Sequence, residues 1–224
     1  MQSTVPILTV DGPSGVGKGT VSRIVSQKMG WHLLDSGAIY RAFALAVNQQ
    51  GVDIEDEVAL ENLAKTLNLE FRTEPGKELV SVYLDAQEVS KQLRTEATGE
   101  MASKIATIAI VRKALLERQR AFAKPPGLVA DGRDMGTQVF ANAPFKVYLT
   151  ASAEERANRR LKQLQSAGSK GIIAQILQEV KKRDERDSTR KSSPLKPAED
   201  ALIIDTTDLS IDEVITKVMT LIEA

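Results

Sequence analysis

The sequence predicts an α/β fold: a three-layer sandwich with a five-stranded parallel sheet, plus a small insert carrying a short antiparallel sheet and a short lid. Three observations predict it. Apolar runs of strand length recur along the chain, helical patterns separate them, and a glycine-rich loop with a lysine joins the first run to the first helix. Runs that are apolar on consecutive residues suit strands buried on both faces. Strands alternating with helices imply βαβ units whose sheet is covered on either side.

The elements follow in order. ILTVD (7–11) is the first strand, and a helix suits Lys18 to Met29. HLLD (32–35) is the second strand, followed by a helix over Ala38 to Gln49. From Asn68 to Val89 the pattern changes to alternating apolar and polar residues around Glu74-Pro75-Gly76. That predicts an antiparallel hairpin or three-stranded piece, placed in an insert over about residues 37–100. A helix over Met101 to Phe122 leads to GLVAD (127–131), and KVYLT (146–150) and ALIID (201–205) complete the strands. Helices suit Ala153 to Gln165, Ile172 to Asp187 and Ile211 to Glu223. The turn SAGSKG (166–171) joins two highly charged helices and is a candidate mobile flap, with the lid over about residues 155–171. Residues 1–36 and 101–224 then form the core domain. Ligands of such sheets sit at the carboxyl ends of the strands, where Asp11, Asp35, Asp131 and Asp205 fall.

The 224 residues are enough for one full core with an insert. Hydrophobic residues make up 42% and charged residues 27%, the balance of a soluble globular protein. The 30 basic residues cancel the 30 acidic ones, so no broad attraction to nucleic acid or an anionic membrane is expected. An anionic partner would need a local arginine cluster. With no cysteine, disulfides and thiolate metal sites are excluded. No apolar run approaches the ~20 residues of a membrane span, and the first residues lack the pattern of a signal peptide. The expectation is a cytoplasmic, soluble monomer. His32, the single histidine, stands beside Trp31 at a strand start and reads as packing, and aromatics at 4% are too few for a stacking platform.

DGPSGVGKGT carries the chemistry. Gly12, four residues, Gly17 and Lys18 have the P-loop spacing, after a strand and opening a helix. Glycines let backbone N–H groups turn inward around a phosphate. The helix adds its positive end, and Lys18 adds a full charge. Gly19 stands where many NTPases place the Ser or Thr that binds Mg²⁺, and Thr20 comes one residue late. Magnesium is therefore expected mainly on the nucleotide and water, with no direct protein ligand assigned and the strand-end aspartates as the alternative. No Asn-Lys-x-Asp guanine motif occurs, which argues against a GTPase.

A kinase acting on a hydroxyl needs a carboxylate to take the proton, whereas one acting on a phosphate needs cations to hold two anions together. Arginines stand in suggestive places. In DSGAIYR (35–41), Ser36 suits a helix N-cap and Arg41 lies beyond it; a plain cap and a surface arginine read equally well. Arg112 interrupts the apolar stripe of Ile105, Ile108, Leu115 and Leu116, either as a buried cation needing a partner or as a snorkelling side chain. ADGRDMGT (130–137) sends Asp131, Arg133 and Asp134 off the sheet at its ligand edge, or is a plain turn. Arg183, Asp187 and Arg190 share a helix face, which a self-paired, solvated face would also explain. The same holds for Arg156, Arg159 and Arg160 before the flap.

Together GPSGVGKGT, WHLLDSGAIYR, the segment around SVYLD, VRKALLERQRAF, PGLVADGRDMGT and the Arg183–Asp187 stretch resemble the bacterial cytidylate kinase family over essentially the whole chain. The resemblance implies a nucleoside monophosphate kinase that moves the γ-phosphoryl of ATP to CMP or dCMP with Mg²⁺, and makes the insert its NMP-binding part. It implies that Gly12, Pro13, Ser14, Gly15, Val16, Gly17, Lys18, Gly19 and Thr20 hold the ATP phosphates. Ser36, Arg41, Arg133 and Asp134 would surround the CMP phosphate. Ser103, Arg112 and Asp187 would read the cytosine, and Arg183 and Asp187 would touch the ribose. Lys18, Arg133, Asp134, Arg190 and Arg159 (or Arg160) would act on the transferring phosphoryl. The rivals are a P-loop kinase of another acceptor, such as UMP or a shikimate-like hydroxyl acid, and a non-catalytic nucleotide-binding regulator. A hydroxyl kinase would want a second carboxylate shortly after Asp35, where Ser36-Gly37 stand.

Overall fold

The structure is a computed structural model that describes residues 5–72, 81–166, 168 and 170–224. It divides into two compact units, one formed by the chain up to Asp35 together with Arg120–Ala224, the other by Ser36–Gln119.

The first unit holds a five-stranded parallel sheet in the order β2-β6-β1-β7-β8. The strands are β1 (Ile7–Asp11), β2 (His32–Asp35), β6 (Leu128–Asp131), β7 (Phe145–Thr150) and β8 (Leu202–Asp205). The first strand is central, and its neighbours β6 and β7 come from far along the chain. Strand order therefore reverses at β1, the kind of switch point that opens a ligand crevice at carboxyl ends. The register sets Asp35 opposite Asp131 and Asp131 opposite Val10, so the strand-end carboxylates share one edge.

Helix α1 (Lys18–Met29) buries Val21 and Val25, four apart and hence on one face. Helix α8 (Ile211–Glu223) buries Val214 and Val218 at the same spacing. Both stripes pack with Leu8, Val10, Val129, Val147, Leu149 and Ile204 of the sheet in one core cluster. Each such side chain contributes about 1.5–3 kcal/mol by leaving water. Two ends are marked in the sequence: Gly30 closes α1 in the left-handed conformation (φ 66°), and Ser210 and Glu213 form a reciprocal capping box at the start of α8. On the opposite face of β1, Thr9 and Asp11 lie against a π-helical turn at Met135–Val139. Helices α6 (Ala153–Ser166) and α7 (Ile173–Thr189) pack side by side, and of the expected flap, residues 167 and 169 lie outside the described residues.

In the second unit, α2 (Ser36–Gln50) packs against α4 (Glu96–Ile105). It also holds α3 (Glu57–Thr66), α5 (Ala109–Arg120, whose last residue falls to the first unit), and the antiparallel sheet β3 (Leu69–Arg72), β4 (Ser81–Leu84) and β5 (Gln87–Glu88). Alternation is what makes this sheet: Leu69 pairs with Leu84 and Phe71 with Val82, so these apolar residues share a face. The β4–β5 turn is Asp85-Ala86, both at positive φ. The expected turn at Glu74-Pro75-Gly76 lies outside the described residues.

Two expectations change. The helix assigned to Met101–Phe122 is two helices broken at Ala106–Ile108, where the Thr107 hydroxyl donates to the Lys104 carbonyl and competes with the helical ladder. Helix α3 was not anticipated; Asp56 caps it by accepting from the Ala59 N–H. The second unit spans Ser36–Gln119, and the Ser36 hydroxyl at its start donates to the Gln119 side chain at its end (2.7 Å).

Candidate active site

The loop between β1 and α1 is shaped by glycines at positive φ, Gly12 (146°), Gly15 (85°) and Gly17 (90°). These conformations strain any other residue. Lys18 opens the helix, is buried, and its Nζ donates to the Pro13 carbonyl (2.7 Å), folding the side chain back over its own loop. Behind the loop, the Thr206 hydroxyl donates to the Val16 carbonyl (3.3 Å).

Carboxylates and arginines gather around Lys18. Asp11 ends β1 and accepts from the N–H groups of Met135 and Gly136 at 2.9 and 2.8 Å. Burial pushes its carboxyl up to about 6 despite these bonds. Burial also pushes Asp131 up to about 7, with Lys18 pulling the other way. Burial, and then the charge of Arg133, lower Lys18 to about 7. Arg183 acts on Lys18 in the same sense. A site that so disfavours isolated charge is set to receive a polyanion, whose field restores the ammonium. The side-chain position absent at Gly19 would face Asp131: a Cβ there would lie 3.6 Å from Asp131 Oδ2. A carboxylate thus stands where other phosphate loops offer a hydroxyl.

Several residues expected from the sequence come together in this unit. Arg133 Nε donates to Asp187 Oδ2 (3.1 Å), joining ADGRDMGT to α7. Arg190, just past the end of α7, donates to the Ser193 carbonyl and lies 3.6 Å from Asp134 Oδ1. With Lys18 and Arg183 these make an alternating array of cations and carboxylates. Arg159 is placed differently: its guanidinium donates to Glu155 Oε1 (2.9 Å) and to the Thr206 hydroxyl (3.1 Å) and carbonyl (2.5 Å). Arg160 lies on α6, partly buried.

The second unit carries the remaining ones. Ser36 is the first residue of α2, with its hydroxyl on Gln119 rather than on the helix N-terminus. Arg41 donates to the Leu93 carbonyl (2.8 Å) and lies over Gly99, where a Cβ would be 3.6 Å from its Nη2. Arg112 is buried, its guanidinium 5.7 Å from the centre of the Tyr40 ring and donating to the Ala106 carbonyl. Ser103 is buried, and its hydroxyl has no hydrogen-bond partner among the described residues. An orphaned buried hydroxyl calls for a ligand or a water.

Three residues were not assigned a role from the sequence. Arg156 donates to the Ser14 carbonyl of the phosphate loop, Gln119 holds Ser36, and Asp11 clasps the turn after β6. Asp11 left a trace as an aspartate at a strand end and Arg156 as one of three arginines before the flap; Gln119 left none. The His32 ring nitrogen meets the Pro125 carbonyl (3.0 Å).

A glycine-shaped phosphate loop at the switch point of a parallel sheet, faced by arginines from two later segments, defines a P-loop phosphotransferase of the nucleoside monophosphate kinase type. The chain belongs to the cytidylate kinase family, whose model matches residues 8–224. It is 56% identical over 224 residues to the cytidylate kinase of Vibrio vulnificus, covering 100% of this chain and 98% of that protein. It is 54% identical over 223 residues to the cytidylate kinase of Photobacterium profundum (100% and 97% covered), and 52% over 219 residues to that of Colwellia psychrerythraea (98% and 96%).

Proposed function

We propose that the chain transfers the γ-phosphoryl of ATP to CMP or dCMP, releasing ADP and CDP or dCDP. The observation that carries this reading is the array around Lys18: two kinds of anion holder, a backbone loop and a set of arginines, within one unit of a chain of this family. The loop Gly12–Thr20 takes the ATP phosphates by its N–H groups and Lys18. Mg²⁺ bound to ATP would supply charge neutralisation on the phosphates, and Asp131, which faces Gly19, would be a carboxylate able to hold its water.

The acceptor oxygen of a nucleoside monophosphate is already ionised near neutral pH, so no general base is needed. Arg133, Arg183 and Arg190 offset the repulsion between the two substrates and the charge spread over the transferring group. Arg159 would have to leave Thr206 to join them. Asp187 accepts from the N4 amino group of cytosine, and Ser103 and Arg112 donate to its O2 and N3. Arg41 donates to the CMP phosphate, as does Ser36 once its hydroxyl leaves Gln119, and Asp134 orients Arg190. Catalysis is then positioning and charge neutralisation, with no covalent intermediate. The enzyme is taken to act in the cytoplasm as a monomer, where both nucleotides are found.

The test is coupled ADP release with CMP, dCMP, UMP, AMP and shikimate offered in turn. Turnover with CMP or dCMP well above the others is expected. Turnover with UMP, AMP or shikimate but none with CMP overturns the acceptor assignment, and ATP binding without any turnover makes the chain a nucleotide-binding regulator.

A further inference from the structure

Arg156 takes no part in the reaction as derived above, yet 5% of its side chain is exposed and its bonds reach three parts of the nucleotide-binding unit. Its Nε donates to the Ala151 carbonyl just past β7 (3.1 Å), and its Nη1 donates to the Ser14 carbonyl in the phosphate loop (3.2 Å). The guanidinium also makes a two-pronged pair with Asp184 of α7, Nη1 to Oδ1 at 2.9 Å and Nη2 to Oδ2 at 2.6 Å. Gly15 rests on the same residue: a Cβ there would stand 3.1 Å from Arg156 Cβ.

From this geometry we infer that Arg156, locked by Asp184, is a positioning residue that sets the Ser14–Gly15 peptide of the phosphate loop and ties the loop to α7. A trans peptide points its C=O and the next N–H in opposite directions. Holding the Ser14 carbonyl on Arg156 therefore turns the Gly15 N–H away from it, toward the side on which a phosphate is gripped. Asp184 makes this hold stiff. A planar fork pairing with a carboxylate fixes the guanidinium plane, and without its counter-ion a buried arginine is an uncompensated charge that relaxes toward water. Because α7 also carries Arg183 and Asp187, the pair joins the ATP loop to the helix proposed to meet the acceptor. The inference rests on the reading that the loop binds ATP, not on which acceptor is used.

The experiment compares the full-length chain with Asp184→Asn, Arg156→Lys and the double variant. ATP affinity is measured by calorimetry without any acceptor, KM and kcat by coupled assay, and folding by thermal unfolding. Asp184→Asn is expected to weaken ATP binding by about tenfold or more. KM for ATP should rise in step while kcat at saturating ATP stays within about threefold. The double variant is expected to be no worse than the worse single one, since both break one unit. An unchanged ATP affinity in Asp184→Asn, or losses that add in the double variant, overturns the inference. Lost binding in Arg156→Lys with Asp184→Asn unaffected also overturns it, by making Arg156 a direct nucleotide contact. If Arg156→Lys fails to fold, Asp184→Asn against Asp184→Glu decides, and only the glutamate should recover ATP affinity. Failure of the CMP assignment would leave the calorimetric ATP affinities in place.

Discussion

Replacing Gly12 by alanine tests whether the sheet beneath the phosphate loop dictates its shape. Gly12 sits at φ 146°, and a Cβ there would lie 2.1 Å from the Leu149 carbonyl oxygen and 3.1 Å from its carbon. A carbon–oxygen contact is relaxed at about 3.3 Å or more, so β1 and β7 would have to part by roughly 1 Å. Leu149 is fully buried in the core cluster, which leaves β7 little room to retreat. Backbone strain adds about 1–3 kcal/mol and forced repacking about the same again, for a loss of roughly 2–6 kcal/mol. In a chain of this size each kcal/mol lowers Tm by about 2–4 °C, so a fall on the order of 10 °C is expected by scanning calorimetry, with ATP binding lost. Gly19→Ala is the internal control. Its Cβ would meet only Asp131 Oδ2 at 3.6 Å, within α1, and alanine gains up to about 1 kcal/mol of helix propensity there. It should melt at or above the wild-type temperature. A Gly12→Ala protein that melts within about 2 °C of wild type and binds ATP equally well would refute the reasoning.

Ser103→Ala removes a buried hydroxyl that has no partner among the described residues, so Tm should hold or rise while KM for CMP increases about tenfold and KM for ATP does not; an unchanged KM for CMP takes Ser103 out of the cytosine site. Lys18, lowered to about 7 by burial, is protonated below that pH, so above it ATP binding must draw in a proton, and affinity should fall with rising pH by up to about tenfold per unit. ATP's own titration is removed by subtracting the profile of Lys18→Met, and calorimetry in buffers of different ionisation enthalpy should show the extra proton uptake in wild type only. Identical profiles for the two proteins would show that Lys18 stays charged throughout.

The parallel sheet was legible because burial on both faces leaves an unbroken apolar run, and each of the five runs became a strand to within a residue or so. The antiparallel piece was legible from its alternation. Helix α3 was not, since its buried face consists of only Leu60, Leu63 and Ala64. The break at Ala106–Ile108 hid inside a run, IATIAIV, whose apolar spacing continues across it, so the stripe used to place Arg112 spans two helices. The burial of Arg112 could be read from that stripe; its partners, the Tyr40 ring and the Ala106 carbonyl, could not. Arg156 and Asp184 were harder still. Both lie in dense charge runs, 28 residues apart, and nothing in a linear sequence says that two charged faces turn toward each other. Arg133 and Asp187 illustrate the same limit: each was singled out, but their mutual bond was not foreseen.

The two N–H groups that Asp11 accepts belong to the turn directly after Arg133 and Asp134, while Asp11 itself directly precedes Gly12. Gly136 in that turn leaves no space for a side chain, since a Cβ would meet the Thr9 hydroxyl at 2.8 Å. The segment is therefore not a detachable cassette. Anyone transplanting ADGRDMGT into another scaffold, or exchanging it here to accept a different substrate, must carry along residue 11 and the small footprint beside Thr9. The unit of modular exchange in this protein is a strand end and a distant turn taken together, two pieces that any single crossover falling between them would separate.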